Sequence, residues 1–363
     1  MTATGRTSQT FPLRAWRIVS GAWCRTYDSA ARSAVAAKAF GADLVSPDSP
    51  YEHLMAEHAR TFRFATRFLP GEYRESTIRL YAFFRSLDDL VDESPDDPAT
   101  IESIRRQLDS WETWLRSDLS NAAPNRDIGN AVAPVIMNYR IPRTLFLDFL
   151  EGLRADLYPA TPRTRDEIEQ YSYQVASTVG LAMAHVFGST CPGAIEAARR
   201  LGIAMQLTNI LRDVGGDAAR NRVYLPEDLL HAHGLTVSDV LDQWQQGKGP
   251  DRRLIKVLQT ISGWADEHYK AGVAGIRLLP RDVQMPILVA ARLYQQILYR
   301  LKSNDYDSLR QRAATTGVQK LLEARRCIFS IQQLLDEAQP SQAHGSNRIG
   351  PPSPEPGTSV NAR

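Results

Sequence analysis

Apolar residues recur three and four positions apart through most of the chain from Glu52 to Glu337, with few alternating β-branched runs. That period predicts helices rather than strands. Ile287, Ala290, Ala291, Tyr294, Ile297, Leu298 and Leu301 make one such stripe, which reads as core packing. Leu80, Phe83, Phe84, Leu87 and Val91 make another, and beside it Tyr81, Arg85, Asp88 and Asp92 line up one turn apart, with Asp89 flanking. Gln206, Asn209, Asp213 and Asp217 share one face of a later helix. Outside this periodic body the pattern fails. From Met1 to Ala42 a single acid, Asp28, stands against Arg6, Arg14, Arg17, Arg25, Arg32 and Lys38. With Trp16, Trp23 and an Ala-rich run to Phe40, the segment reads as a docked helix or as a transit-like leader. After Gln339 the chain is rich in Ser, Pro and Gly, with too little apolar surface to offset its ordering entropy. The expected organisation is an N-terminal extension over 1–50, one all-α domain over 51–338 and a disordered tail over 339–363, with no internal repeat.

Composition narrows the classes. A hydrophobic content of 43% over 363 residues supports a sizeable core. No apolar run approaches the roughly eighteen residues that a spanning helix needs, so no integral membrane segment is expected. A net charge of +2, without basic runs, gives no footprint for nucleic acid. Cys24, Cys191 and Cys327 are single, widely spaced and odd in number, which points to reduced thiols in a cytoplasmic setting and to no cysteine metal site. The basic leader keeps organelle targeting open.

The two polar faces carry the chemistry. Carboxylates at four-residue spacing destabilise an isolated helix by a few tenths of a kcal/mol, so a cation or solvent must offset them. Asn209, Asp213 and Asp217 put hard oxygen donors in a row, the preference of Mg²⁺, with Mn²⁺ as a substitute. Arg212, Arg220 and Arg222 stand near enough to meet phosphate. Two such faces suit a diphosphate held through metal ions, and neutralising it as it leaves would let an allylic C–O bond ionise. Gly215-Gly216 costs the helix roughly 1–2 kcal/mol and predicts local flexibility. Ser94 to Pro98 reads as a charged loop.

The order and wording of these motifs resemble the squalene/phytoene synthase family. The resemblance runs from His58 to Lys320. It includes His58-Ala-Arg-Thr-Phe62, Ala65-Thr-Arg-Phe-Leu-Pro70, Tyr81–Asp92, Glu151-Gly-Leu-Arg-Ala-Asp-Leu157, Tyr171-Ser-Tyr-Gln-Val-Ala-Ser-Thr-Val-Gly180, Gln206–Asp217 and Val223-Tyr-Leu-Pro226. It implies an all-α, single-domain isoprenoid synthase bundle with a central cavity, and 1′-1 condensation of two prenyl diphosphates through a cyclopropyl intermediate. It assigns Asp88, Asp89, Asp92, Asp213, Asp217 and Tyr171 to catalysis, with Asp88, Asp92, Asn209, Asp213 and Asp217 on the metal. His58, Arg60, Arg85, Gln206, Asn209, Arg212, Arg222 and Tyr294 are assigned to substrate, and Val175, Ala176, Ser177 and Gly180 to the prenyl cavity.

Three departures qualify the likeness. Ser177 stands where the family commonly has Gly, Gly216 where it commonly has Glu, and Tyr158-Pro-Ala-Thr-Pro-Arg163 lacks the usual Arg-Tyr. A hydroxyl beside the cavity leaves a second reading open, transfer of a short dimethylallyl group to an aromatic acceptor such as a carbazole. A third reading, a non-catalytic assembly factor, conflicts with the intact carboxylates. Peripheral contact with a membrane is compatible with either enzyme reading.

Overall fold

The computed structural model describes residues 64–92, 97–313 and 317–337. His58, Arg60, the 1–50 extension, the 339–363 tail, and Glu93 with residues 94–96 of the charged loop lie outside the described residues. Every regular element among the described residues is helical. In chain order these are α1 (Gly71–Asp92), α2 (Pro98–Arg116), α3 (Arg126–Asn138), α4 (Arg143–Leu157) and α5 (Arg165–Ser172). A π-type turn (Tyr173–Ser177) leads into α6 (Thr178–Val186), followed by α7 (Pro192–Ala218), α8 (Glu227–Ala232) and α9 (Val237–Gln245). Then come α10 (Arg252–Gly275), a 3₁₀ turn (Ile276–Leu278), α11 (Arg281–Ser303) and α12 (Gly317–Glu337).

Local chemistry sets many of the starts. Asp97 accepts from the backbone N–H groups of Ala99 and Thr100 ahead of α2, and Asp251 does the same for Arg253 and Leu254 ahead of α10. Thr236 and Asp239 form a reciprocal capping box on α9. Asp97, placed in a charged loop by its sequence, is therefore a helix cap.

Helix α7 is the axis of the molecule. Residues 201–215 are buried on every side, as a helix surrounded by others must be. Its longest neighbour is α10, and α5, the π-type turn, α6 and α11 also pack on it. Helix α1 packs on α3, α4 and α6. Its apolar stripe of Leu80, Phe83, Phe84, Leu87 and Val91 is at most 6% exposed. There Phe83, Phe84, Trp111, Phe146 and Phe149 make a ladder of edge-on and stacked rings with centroids 4.8–5.4 Å apart. Such pairs add about 0.5–1.5 kcal/mol each beyond area burial. This cluster fixes α1, and with it the first acidic face, against α2 and α4.

Candidate active site

On α1 the polar stripe is buried. Arg85 and Asp88 are 0% exposed, Tyr81 1% and Asp92 8%. Arg85 Nε donates to Asp89 Oδ2 at 2.9 Å, a second guanidinium nitrogen meets Asp89 Oδ1, and a third lies 3.5 Å from Asp88 Oδ2. Burial by itself would make Arg85 easier to deprotonate, but Asp88 and Asp89 outweigh it and hold the guanidinium charged. Burial pushes the Tyr81 phenol above its ordinary value, opposed by Arg85.

On α7, Asn209 donates to Gln206 Oε1 at 3.2 Å, and Arg212 Nε donates to Asp213 Oδ1 at 2.9 Å. Asp213 receives a second guanidinium, Arg312, with Nε 2.7 Å from Oδ1 and Nη2 3.3 Å from Oδ2. Burial would raise the Asp213 carboxyl, yet Arg212 and Arg312 hold it below the usual carboxylate range. Arg312 lies 99 residues further along the chain, and no spacing in the sequence announces it. Its segment is pressed onto α7 through Gly215, whose N–H donates to Ser308 O at 3.0 Å. A Cβ at Gly215 would stand 2.2 Å from Leu309 O. The helix continues unbroken to Ala218, so the glycine serves close approach rather than the flexibility its sequence predicts.

Tyr294 of α11 ties the two faces together. It is 1% exposed, and its phenol interacts electrostatically with Arg212, Asp213 and Arg312 of the second face and with Tyr81 of the first. Arg222 and Asp217, both 7% exposed, complete the buried polar group at the end of α7. Arg220 is only half-buried. Among the described residues no three His, Cys, Asp or Glu side chains converge as a ready-made metal cage.

An apolar cleft follows these polar faces along α7 and α11, beginning one turn from Asn209 and Tyr294. Gly180 and Ala184 of α6 with Phe187 at its C-cap, Ala197, Ala198, Leu201, Gly202 and Met205 of α7, Ile287 and Ala290 of α11, and Ile276 and Leu279 line it. Helix α7 therefore changes character along its length. One side of it is small and apolar as far as Met205 and oxygen-bearing from Gln206 onward.

The π-type segment departs from the expected cavity wall. Val175 packs against Gly152, where a Cβ would meet it at 2.6 Å. Ser177 is fully buried, donates from Oγ to Arg199 O at 2.7 Å, and lies against Gly202 with no room for a Cβ between them. Val175 thus packs against α4 and Ser177 against α7, Ala176 is fully buried, and of the four residues expected on the wall Gly180 lines the apolar cleft. The reason is the extra residue of the π-type turn, which shifts the face a regular helix would present.

Tyr171 is half-buried at a separate junction. Its hydroxyl donates to Asp156 at 3.0 Å, Tyr224 donates to the same carboxylate at 2.9 Å, and the two rings stack at 5.3 Å. The divergent loop after Tyr158 is anchored beside them, since the N–H groups of Glu227 and Asp228 donate to Pro162 O and Arg163 O.

Comparisons with known proteins agree with this architecture. The family model described as squalene/phytoene synthase matches residues 55–319. The chain is 35% identical over 276 residues to "Phytoene synthase 2, chloroplastic" of Solanum lycopersicum, covering 74% of this chain and 85% of that protein. With "Phytoene synthase 2, chloroplastic" of Zea mays it shares 36% over 274 residues, 74% of this chain and 65% of that one, just under two thirds of its length. Among solved structures it is similar to a dehydrosqualene synthase in complex with ligand, at TM-score 0.67 and 25% identity, covering 78% of this chain and 95% of that one. The squalene synthase HpnC from Alicyclobacillus acidocaldarius shares the fold at TM-score 0.60 and 22% identity, over 71% and 93% of the two chains. With its all-helical single-domain fold and a family match across most of its length, the chain belongs to the squalene/phytoene synthase family of prenyl-transferring enzymes.

Proposed function

We propose that this protein joins two prenyl diphosphates head to head, to a phytoene- or squalene-type hydrocarbon, and that residues 51–338 are its catalytic unit. The observation that carries the reading is the succession along α7 and α11 of a buried oxygen-bearing face (Asp213, Asn209; Tyr294) and, one turn further, residues lining a wholly apolar cleft (Met205, Gly202; Ala290, Ile287), the order of an amphiphile with a phosphate head. Each acidic face is already paired with guanidinium, Arg85 with Asp88 and Asp89 on α1 and Arg212 and Arg312 with Asp213 on α7, so the existing cations are engaged by carboxylates. A diphosphate would bring further negative charge into a largely buried place, where unpaired charge costs several kcal/mol. The donor set, carboxylate and amide oxygens, therefore fits Mg²⁺ or Mn²⁺, with Asp88, Asp92, Asn209, Asp213 and Asp217 as holders. Mg²⁺ keeps waters and shares phosphate oxygens, so the protein need not supply a closed cage. When bound, the ion neutralises charge developing on the leaving diphosphate.

The chain's own groups do the rest. Arg85, Arg212 and Arg312 place guanidiniums where phosphate oxygens would lie, and each is already oriented by an aspartate. Tyr294, shared between both faces, positions the head group between them. The apolar walls exclude water from the allylic cation, which would otherwise be trapped as an alcohol. Asp156 of α4 holds the Tyr171 and Tyr224 hydroxyls together and so fixes α5 and the segment after α7 on α4.

The aromatic-acceptor reading rested on a Ser177 hydroxyl in the cavity, and that hydroxyl is bound to Arg199 O instead. Product analysis tests the proposal. Farnesyl or geranylgeranyl diphosphate alone, with Mg²⁺, should give a hydrocarbon of twice the chain length or a cyclopropyl diphosphate, and chelation by EDTA should stop pyrophosphate release. A folded, metal-supplied protein that makes neither product from any prenyl diphosphate, yet consumes dimethylallyl diphosphate once an aromatic acceptor is added, would overturn it.

A further inference from the structure

Two helices pass from polar to apolar toward the cleft, and a third closes from small residues to a large one. On α7 the stripe of Asp213 and Asn209 is followed one turn on by Met205, then Gly202 and Ala198, and on α11 Tyr294 is followed by Ala290 and Ile287; of these Met205, Gly202, Ala198, Ala290 and Ile287 line the cleft. Along α6 the lining residues are Gly180 and Ala184, both small, and then the large Phe187 at the C-cap. The phenyl ring is 3% exposed and meets Tyr73 of α1 edge-on, with centroids 6.4 Å apart at 82°. Two independent rulers place this contact. Fifteen residues separate Tyr73 from Asp88 on α1, and fifteen separate Ala198 from Asp213 on α7. Each interval is about 22 Å of helix rise. The Phe187–Tyr73 contact thus lies about 22 Å along α1 from Asp88, and since Gly180 stands against Ala198 and Ser177 against Gly202, α6 runs antiparallel to α7 and carries Phe187 past Ala198, away from the α7 carboxylates.

We infer that Phe187, braced by Tyr73, is the floor of the prenyl-tail cleft and sets the longest chain the enzyme accepts. Gly180 and Ala184 leave the space above it open, and no polar side chain lines the cleft to terminate a tail by any means other than bulk. Chain length is therefore selected sterically. A ring is close in size to one branched five-carbon unit, so deleting it makes room for one more unit. The inference rests on the proposed prenyl transfer and adds to it the residue that determines substrate length.

The test compares geranyl, farnesyl, geranylgeranyl and geranylfarnesyl diphosphates by pyrophosphate release and product mass, in the wild type and in Phe187→Ala, Phe187→Leu and Ala184→Val. Phe187→Ala should raise kcat/KM for the next longer chain relative to the wild type's preferred one by about tenfold or more, the discrimination that one small group supplies in an apolar pocket. Phe187→Leu keeps the site filled and folded and should shift the ratio in the same direction by less. Ala184→Val narrows the cleft above the floor and should shift preference toward shorter chains. Folded, active Phe187→Leu and Ala184→Val proteins with the wild-type ratio would remove Phe187 from chain selection. A wild type that releases no pyrophosphate from any of the four would instead overturn the functional reading on which the inference stands.

Discussion

His268 shows how a single residue depends on its surroundings. It is 0% exposed on α10, with Nε2 3.1 Å from Glu169 Oε1, and Glu169 is itself paired with Arg165. Burial lowers the imidazole's affinity for a proton, and Glu169 offsets only part of this. The folded protein therefore binds that proton more weakly than the unfolded chain, whose value is near 6.5. Stability from His268 is complete above that value and is lost as the pH falls toward the folded one, by at most about 1.4 kcal/mol per pH unit. Urea denaturation from pH 7.5 down to pH 5 should show this loss in the wild type and a flatter profile in His268→Asn; parallel profiles would assign the acid sensitivity elsewhere. Nothing in the sequence marks His268, because its neighbour Glu169 lies on a distant helix. Arg85 was more legible, since its partners Asp88 and Asp89 are three and four residues away.

Between elements, glycines decide how closely helices approach. At Gly215 the backbone of the Ser308–Leu309 segment occupies the place of a side chain, so Gly215→Ala must push that segment off α7 and draw Arg312 away from Asp213. A loss of about 1–3 kcal/mol in stability is expected, together with reduced turnover. Gly263 is the matched control on α10, where nothing stands within 4 Å of a built Cβ. Gly263→Ala should stabilise by about 0.5–1 kcal/mol. Equal effects of the two substitutions in thermal melts would discard the steric account. Ser177 belongs to the same scale. Ser177→Gly removes the bond to Arg199 O and should lower stability by about 1–2 kcal/mol, leaving acceptor choice unchanged; a changed product spectrum at unchanged Tm would restore the residue to the cavity wall.

At the scale of the whole molecule, the aromatic ladder under α1 and the buried axis of α7 hold the two acidic faces in register. Phe84 stacks on Phe146 at 5.3 Å with 6° between the rings and meets Phe83 and Phe149 edge-on. Phe84→Ala should therefore cost about 3–5 kcal/mol, read as an earlier midpoint in denaturant with unchanged slope. A shift worth less than about 1 kcal/mol would mean that this core repacks freely. The all-helical fold and both acidic faces were legible in the sequence, since a helix's face repeats every three or four residues and the stripes at Tyr81–Asp92 and Gln206–Asp217 are local facts. Which stripes meet was decided by tertiary structure alone. Tyr294, part of a core stripe by its period and assigned to substrate only through the resemblance, interacts with both faces; Arg312 reaches Asp213 across 99 residues; and Ser177, at the end of the Tyr173–Ser177 turn, is bound to Arg199 O. Those outcomes follow from steric fit between distant backbones, as at Gly202 and Gly215, and no short-range period encodes such fit.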